Sequence, residues 1–117
     1  METPKMSEMV ADFARDFLAL GNTAPVRLNL LRCACSAWNI ACAPESARPG
    51  LLDEFMVHYR ELNPDETPEA YRGARRDMEL LIGEKLRKYP QALSQIVSCD
   101  LNVLNGTDCI VVSSIRR

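Results

Sequence analysis

Over residues 6–20 the apolar side chains return every three or four positions. Met6, Met9, Val10, Phe13, Phe17 and Leu20 share one stripe, and Glu8, Asp12 and Arg15 lie opposite. At about 100° per residue this spacing predicts an amphipathic helix, closed by Gly21-Asn22. Residues 24–43 are apolar around most of the circumference, with Asn29, Arg32, Ser36 and Asn39 as the polar strip; a helix of that kind belongs at the centre of the core. It offers two apolar rows, Leu31, Cys35, Trp38 and Cys42 in one and the flatter Leu30, Ala34, Ala37 and Ala41 in the other, where a neighbouring helix can approach closely. A third helix is predicted over about residues 51–62, turning Leu51, Leu52, Phe55, Tyr59 and Leu62 inward. A fourth, over about 68–89, turns Tyr71, Ala74, Met78, Leu81, Ile82 and Tyr89 inward. Lys85 falls on that same face, and its stem is expected to run along it while the ammonium reaches water.

Prolines punctuate these segments, because a proline inside a helix loses a hydrogen bond and clashes with the preceding turn. Pro4 and Pro68 each follow a threonine, and Pro25 comes two residues after Thr23, the order expected of an N-cap and a first helical turn. Pro44, Pro64 and Pro90 close elements, and Pro49-Gly50 separates two of them. A short turn of helix is expected to continue from Pro90 through Leu93. The apolar period then changes from 3.6 to 2, the mark of strands. Asn105-Gly106 reads as a two-residue type I′ turn, which pairs Leu104 with Thr107, Asn102 with Cys109 and Leu101 with Ile110. This register places Val97, Cys99, Leu101, Val103, Ile110 and Val112 on one face and Ser98, Asp100, Asn102 and Ser113 on the other. The expected fold is mainly α (α+β): a four-helix, orthogonal or bundle-like domain spanning residues 1–117, with a C-terminal antiparallel β-hairpin over about residues 95–115.

Composition adds limits. The chain has 117 residues, 47% of them hydrophobic and 26% charged, with a formal net charge of -2, so it has no global positive field to attract nucleic acid or an anionic membrane. Its longest stretch without charge, residues 33–44, is too short to cross a bilayer, and the first residues lack the basic and apolar succession of a secretory signal. A cytoplasmic location is the expectation. Five cysteines, 33, 35, 42, 99 and 109, are then read as thiols, and the sequon at Asn105 as part of a turn. Cys99 and Cys109 fall on opposite hairpin faces, which argues against a bridge between them.

Candidate chemistry is sparse. Thiolates ligate zinc, but on a helix Cys33 points about 160° from Cys35, while Cys35 and Cys42 lie about 10 Å apart along the axis, so one ion cannot reach all three. His58 has Glu54 one turn before it and Glu61 after it, read as a surface ion pair with Glu54. Arg72, Arg75 and Arg76 share an exposed face of the fourth helix and could grip phosphates. Interleaved acids, with Arg75–Glu79 and Glu84–Lys88 at i,i+4 spacing, make a salt-bridged face the simpler reading. No phosphate loop, dinucleotide fingerprint or paired CxxC is present, and neither metal nor cofactor is expected. The hairpin's polar face, however, also carries Ile96, Cys109, Val111 and Ile115, more apolar area than a solvated face needs. The resulting expectation is a non-enzymatic interaction or regulatory domain that self-associates through its hairpin. The alternatives are a nucleic-acid-binding regulator using the arginine face, although the charge argues against that partner, and, ranked last, a thiol- or metal-dependent enzyme.

Overall fold

The computed structural model describes residues 5–104 and 107–115, with side chains for residues 5–102 and 109–115. The order of elements is α1 (Met6–Leu18), α2 (Ala24–Cys42), a single 3-10 turn (Glu45–Ala47), α3 (Arg48–Leu62), α4 (Pro68–Lys88), β1 (Gln95–Leu104) and β2 (Thr107–Ile115). Four helices followed by one antiparallel hairpin is the mainly α architecture that the periodicities predict.

The helix starts follow from their caps. Thr23 Oγ1 accepts from Val26 N at 3.3 Å, and Thr67 Oγ1 accepts from Ala70 N at 3.1 Å, each satisfying an amide that the first turn leaves without an intrahelical partner. Helix α3 begins at Arg48, earlier than its apolar pattern suggests, and takes Pro49 and Gly50 into its first turn, where a missing N–H costs nothing. Thr3-Pro4 and Asn105-Gly106, where a cap and a type I′ turn are predicted, lie outside the described residues. After α4 the chain makes a turn, closed by Ala92 N donating to Tyr89 O at 3.2 Å, in place of the expected helical extension.

Helix α2 is the axis of the core, packed by all three other helices and by β1. Both of its predicted rows are used: Leu31, Cys35 and Trp38 are buried, and so are Ala34, Ala37 and Ala41. Trp38 is fully enclosed, with the Phe13 ring edge-on at 5.4 Å and the Tyr89 ring tilted at 5.7 Å. Burying one such side chain contributes on the order of 3 kcal/mol. Val10, Phe13, Ala14 and Leu18 of α1, Leu52 and Met56 of α3, and Met78 and Leu81 of α4 are also buried. Two residues assigned inward are not: Leu20 is 70% exposed and Leu62 82%. Leu20 lies beyond the last turn of α1, and Leu62 is the last residue of α3, so neither stripe continues over a neighbour there.

The hairpin has the predicted register, Leu101↔Ile110, Asn102↔Cys109 and Leu104↔Thr107. Cys99, Leu101, Ile110 and Val112 pack on the core. A bulge between Ile96 and Ser98 changes the start of β1. It turns Ile96 into the core and leaves Val97 58% exposed, the reverse of the alternation expected from sequence. Among the described residues no helix is long and apolar enough to cross a membrane. The molecule is flat, 46 × 40 × 21 Å.

Candidate functional site

Polar groups converge where the chain passes from α4 into β1. Lys85 does not reach water as its position suggested: it is 1% exposed. Its Nζ donates to Ala92 O at 2.6 Å and lies 5.1 Å from the centre of the Trp38 ring. Cys42 Sγ donates to the same carbonyl at 3.6 Å. Burial lowers the Lys85 pKa, with the Cys42 thiol beside it opposing the shift. One turn further, Tyr89 donates its hydroxyl hydrogen to Asp12 Oδ2 at 2.5 Å, which ties α4 to α1. That bond holds the Asp12 carboxyl below its ordinary value, assisted by Lys88 and Arg15, and pushes Tyr89 up to about 12. Trp38 Nε1 donates to Ser94 O at 2.9 Å. The Asn39 carboxamide takes both backbone groups of Ile96, accepting from its N and donating to its O, each at 2.7 Å. A side-chain amide here replaces a strand at the free edge of β1. These bonds seat the start of the hairpin on α2 and α4, and Lys85 is held there as a donor to backbone.

Beside this anchor a shallow cleft of about 330 Å³ runs between α2 and β1, lined by Arg32, Cys35, Ser36, Asn39, Ile96, Val97, Ser98 and Cys99. Its thiol chemistry is muted. Burial pushes the Cys35 thiol well above its ordinary value, with neighbouring Cys99 adding to the effect. Cys33 is pushed up to about 11, and Cys42 is raised, in both cases mainly by burial. Thiols held protonated are poor nucleophiles and poor metal ligands. Among the described residues no group of three His, Cys, Asp or Glu could hold a metal ion.

Arg72, Arg75 and Arg76 do come together, lining a groove of about 540 Å³ with Glu79 and Leu80. The pairing differs from the i,i+4 pattern expected: Arg75 reaches across to Asp53 of α3 at 2.8 Å, Arg72 pairs with Glu69 at 3.3 Å, and Glu84 pairs with Arg87 at 2.8 Å. Two of the three arginines therefore already meet a carboxylate. His58 is exposed and pairs with Glu61 at 3.6 Å, not with Glu54, because the ring turns toward the C-terminal end of α3.

Of the four apolar residues assigned to the outer hairpin face, Cys109, Val111 and Ile115 are on it, the latter two 47% and 42% exposed. Ile96 is not; the bulge has moved it into the core, and Val97 takes its place outside. Both open edges of the hairpin are stopped locally by side chains. Asn39 caps Ile96, the Asp100 carboxylate accepts from Leu101 N at 2.8 Å, and Ser7 Oγ accepts from Val112 N at 3.4 Å. The sequence pattern carries no sign of the bonds from Trp38 to Ser94, Asn39 to Ile96, Tyr89 to Asp12 and Ser7 to Val112, since each joins residues far apart in the chain. Comparison with protein-family models, curated proteins and solved structures gives no match, so geometry alone carries the functional argument.

Proposed function

We propose that this chain is a non-enzymatic protein-interaction domain that self-associates through the outer face of its hairpin. One observation carries the reading: Val97, Val111 and Ile115 form an uncovered apolar patch on a two-stranded sheet whose other face is already used by the core. Two strands alone are marginal in water, and a second layer over the outer face would complete the sheet. Because the edges are capped by Asn39, Asp100 and Ser7, face-to-face packing is favoured over edge-to-edge strand pairing.

Sedimentation equilibrium over a range of concentrations tests the reading. A dimer that persists in high salt is expected, and Val111→Lys with Ile115→Lys should convert it to monomer without loss of helical circular dichroism. A wild-type chain that stays monomeric at tens of micromolar ends the proposal.

A second reading follows from the gathering of Arg72, Arg75 and Arg76 in one groove, a nucleic-acid contact. It is the weaker one, since Asp53 and Glu69 already neutralise two of the three and Glu79 lines the same groove. It predicts salt-sensitive binding of a fluorescent duplex that the three alanine substitutions abolish. No binding at low salt removes it.

A further inference from the structure

Cys35 and Cys99 are 64 residues apart in sequence, yet both line the cleft between α2 and β1. Their juxtaposition follows from the way β1 is anchored. Asn39 fixes Ile96 through two hydrogen bonds, and from that point α2 and β1 diverge in sequence but not in space. Four residues back along α2, from Asn39 to Cys35, is about 6 Å of helix axis. Along β1 the bulge matters. Ile96 pairs with Ser114 and Cys99 with Val112, so three residues of β1 advance only as far as two residues of β2, about 7 Å. The two rises match. The bulge also restores the facing of the strand, so that Ile96 and Cys99 both turn toward α2 although an odd number of residues separates them. Without it, Cys99 would point to solvent whenever Ile96 pointed inward.

The geometry points to a modification site not used by the proposed interface: we infer that Cys35 and Cys99 form a reversible disulfide that staples α2 to β1, with hydrogen peroxide as oxidant. Cys99 is the more exposed of the two and faces the open cleft, so it reacts first. Peroxide adds one oxygen to its sulfur, giving a sulfenic acid and releasing water. The Cys35 sulfur then attacks that sulfur, the S–O bond breaks, and the hydroxide leaves with the Cys35 proton as a second water. Overall, two thiols and one peroxide give one disulfide and two waters. The other thiols do not compete: Cys33 and Cys42 are not in the cleft, and Cys109 lies on the opposite face of the hairpin. Because Cys35 is nearly enclosed and held protonated, the second step is slow at neutral pH and accelerates as pH rises.

The test uses full-length protein carrying Cys109→Ser, which removes the exposed thiol. After peroxide treatment, denaturation and alkylation, intact mass should show two fewer alkylated thiols and the loss of about 2 Da that one disulfide brings, reversed by dithiothreitol. Cys33→Ala and Cys42→Ala should leave this unchanged, while Cys99→Ala abolishes it. Cys35→Ala should abolish it too, and if that variant does not fold, Cys99→Ala decides alone. The oxidised form should melt at a higher temperature than the reduced one. A cross-link that survives Cys99→Ala, or a Cys99 that takes up peroxide oxygen while Cys35 still alkylates in full, overturns the proposal.

Discussion

Lys85 shows how much one side chain can depend on what covers it. On the exposed part of an apolar face a lysine lays its stem down and sends its charge to water; here residues 89–94 close over it, and the ammonium must find its partner inside, at Ala92 O. The arrangement is held by packing as much as by charge, since the side chain is enclosed beside the Trp38 ring and the Cys42 thiol. Lys85→Ala should therefore cost about 2–4 kcal/mol by opening a cavity. Lys85→Met, which keeps the length and removes a buried charge, should change stability by less than about 1 kcal/mol. Urea denaturation of both variants checks the pair, and a loss in the methionine variant equal to that in the alanine variant would show that the charge, not the volume, is what matters. The sequence could not reveal this burial. Its periodicity places Lys85 on the inner face, but only the path of the chain after Pro90 decides whether that end of the face is open.

At the scale of elements, what was legible and what was not divides by range. Local chemistry could be read directly: the threonine caps at Thr23 and Thr67, the stop at Pro64, and the hairpin register, which the Asn105-Gly106 position fixed. The bulge could not, because Ile96 and Val97 are adjacent apolar residues and alternation alone cannot choose which one turns inward. That choice is made by Asn39, an α2 residue that sequence assigns only to a polar strip. Asn39→Ala should leave both polar groups of Ile96 without their partner and cost about 2–3 kcal/mol. Amide exchange at Ile96 should accelerate with it; unchanged protection would mean that the strand is held by its side chains alone. In α4 the opposite adjustment is available. Gly83 is exposed, and a Cβ added there meets nothing within 4 Å, so Gly83→Ala should raise stability by about 1 kcal/mol, read from thermal or urea unfolding.

Across the whole molecule the enclosed thiols set the response to alkali. A group whose pKa is raised on folding stabilises the fold fully below its unfolded value and loses that contribution as pH rises through the folded value. For Cys33 the window runs from its ordinary 9.0 to about 11, and Cys35 and Cys42 shift in the same direction. Tyr59 and Tyr89, both moved from 10.0 to about 12, extend the fall. Lys85 opposes it: its folded value is lowered from 10.5, so between the two values folding becomes more favourable as pH rises. Three thiols and two phenols outweigh one amine. The unfolding free energy from urea titrations should thus fall between about pH 9 and about pH 11, by up to about 1.4 kcal/mol per pH unit for a buried thiol that titrates only in the unfolded chain. Cys33→Ala should make the decline shallower; an unchanged slope would show that Cys33 ionises as readily in the folded chain.

The bonds from Trp38 to Ser94 and from Asn39 to Ile96 join residues 56 and 57 positions apart. During synthesis the central helix therefore leaves the ribosome long before the segment that roofs one of its flanks. Until that segment clears the exit tunnel, the indole of Trp38 and the amide of Asn39 have no lid, and the nascent chain presents a greasy seam of the kind that chaperones hold. The stretch around Ser94 and Ile96, which follows Trp38 and Asn39 out of the tunnel by more than fifty residues, is what closes this seam.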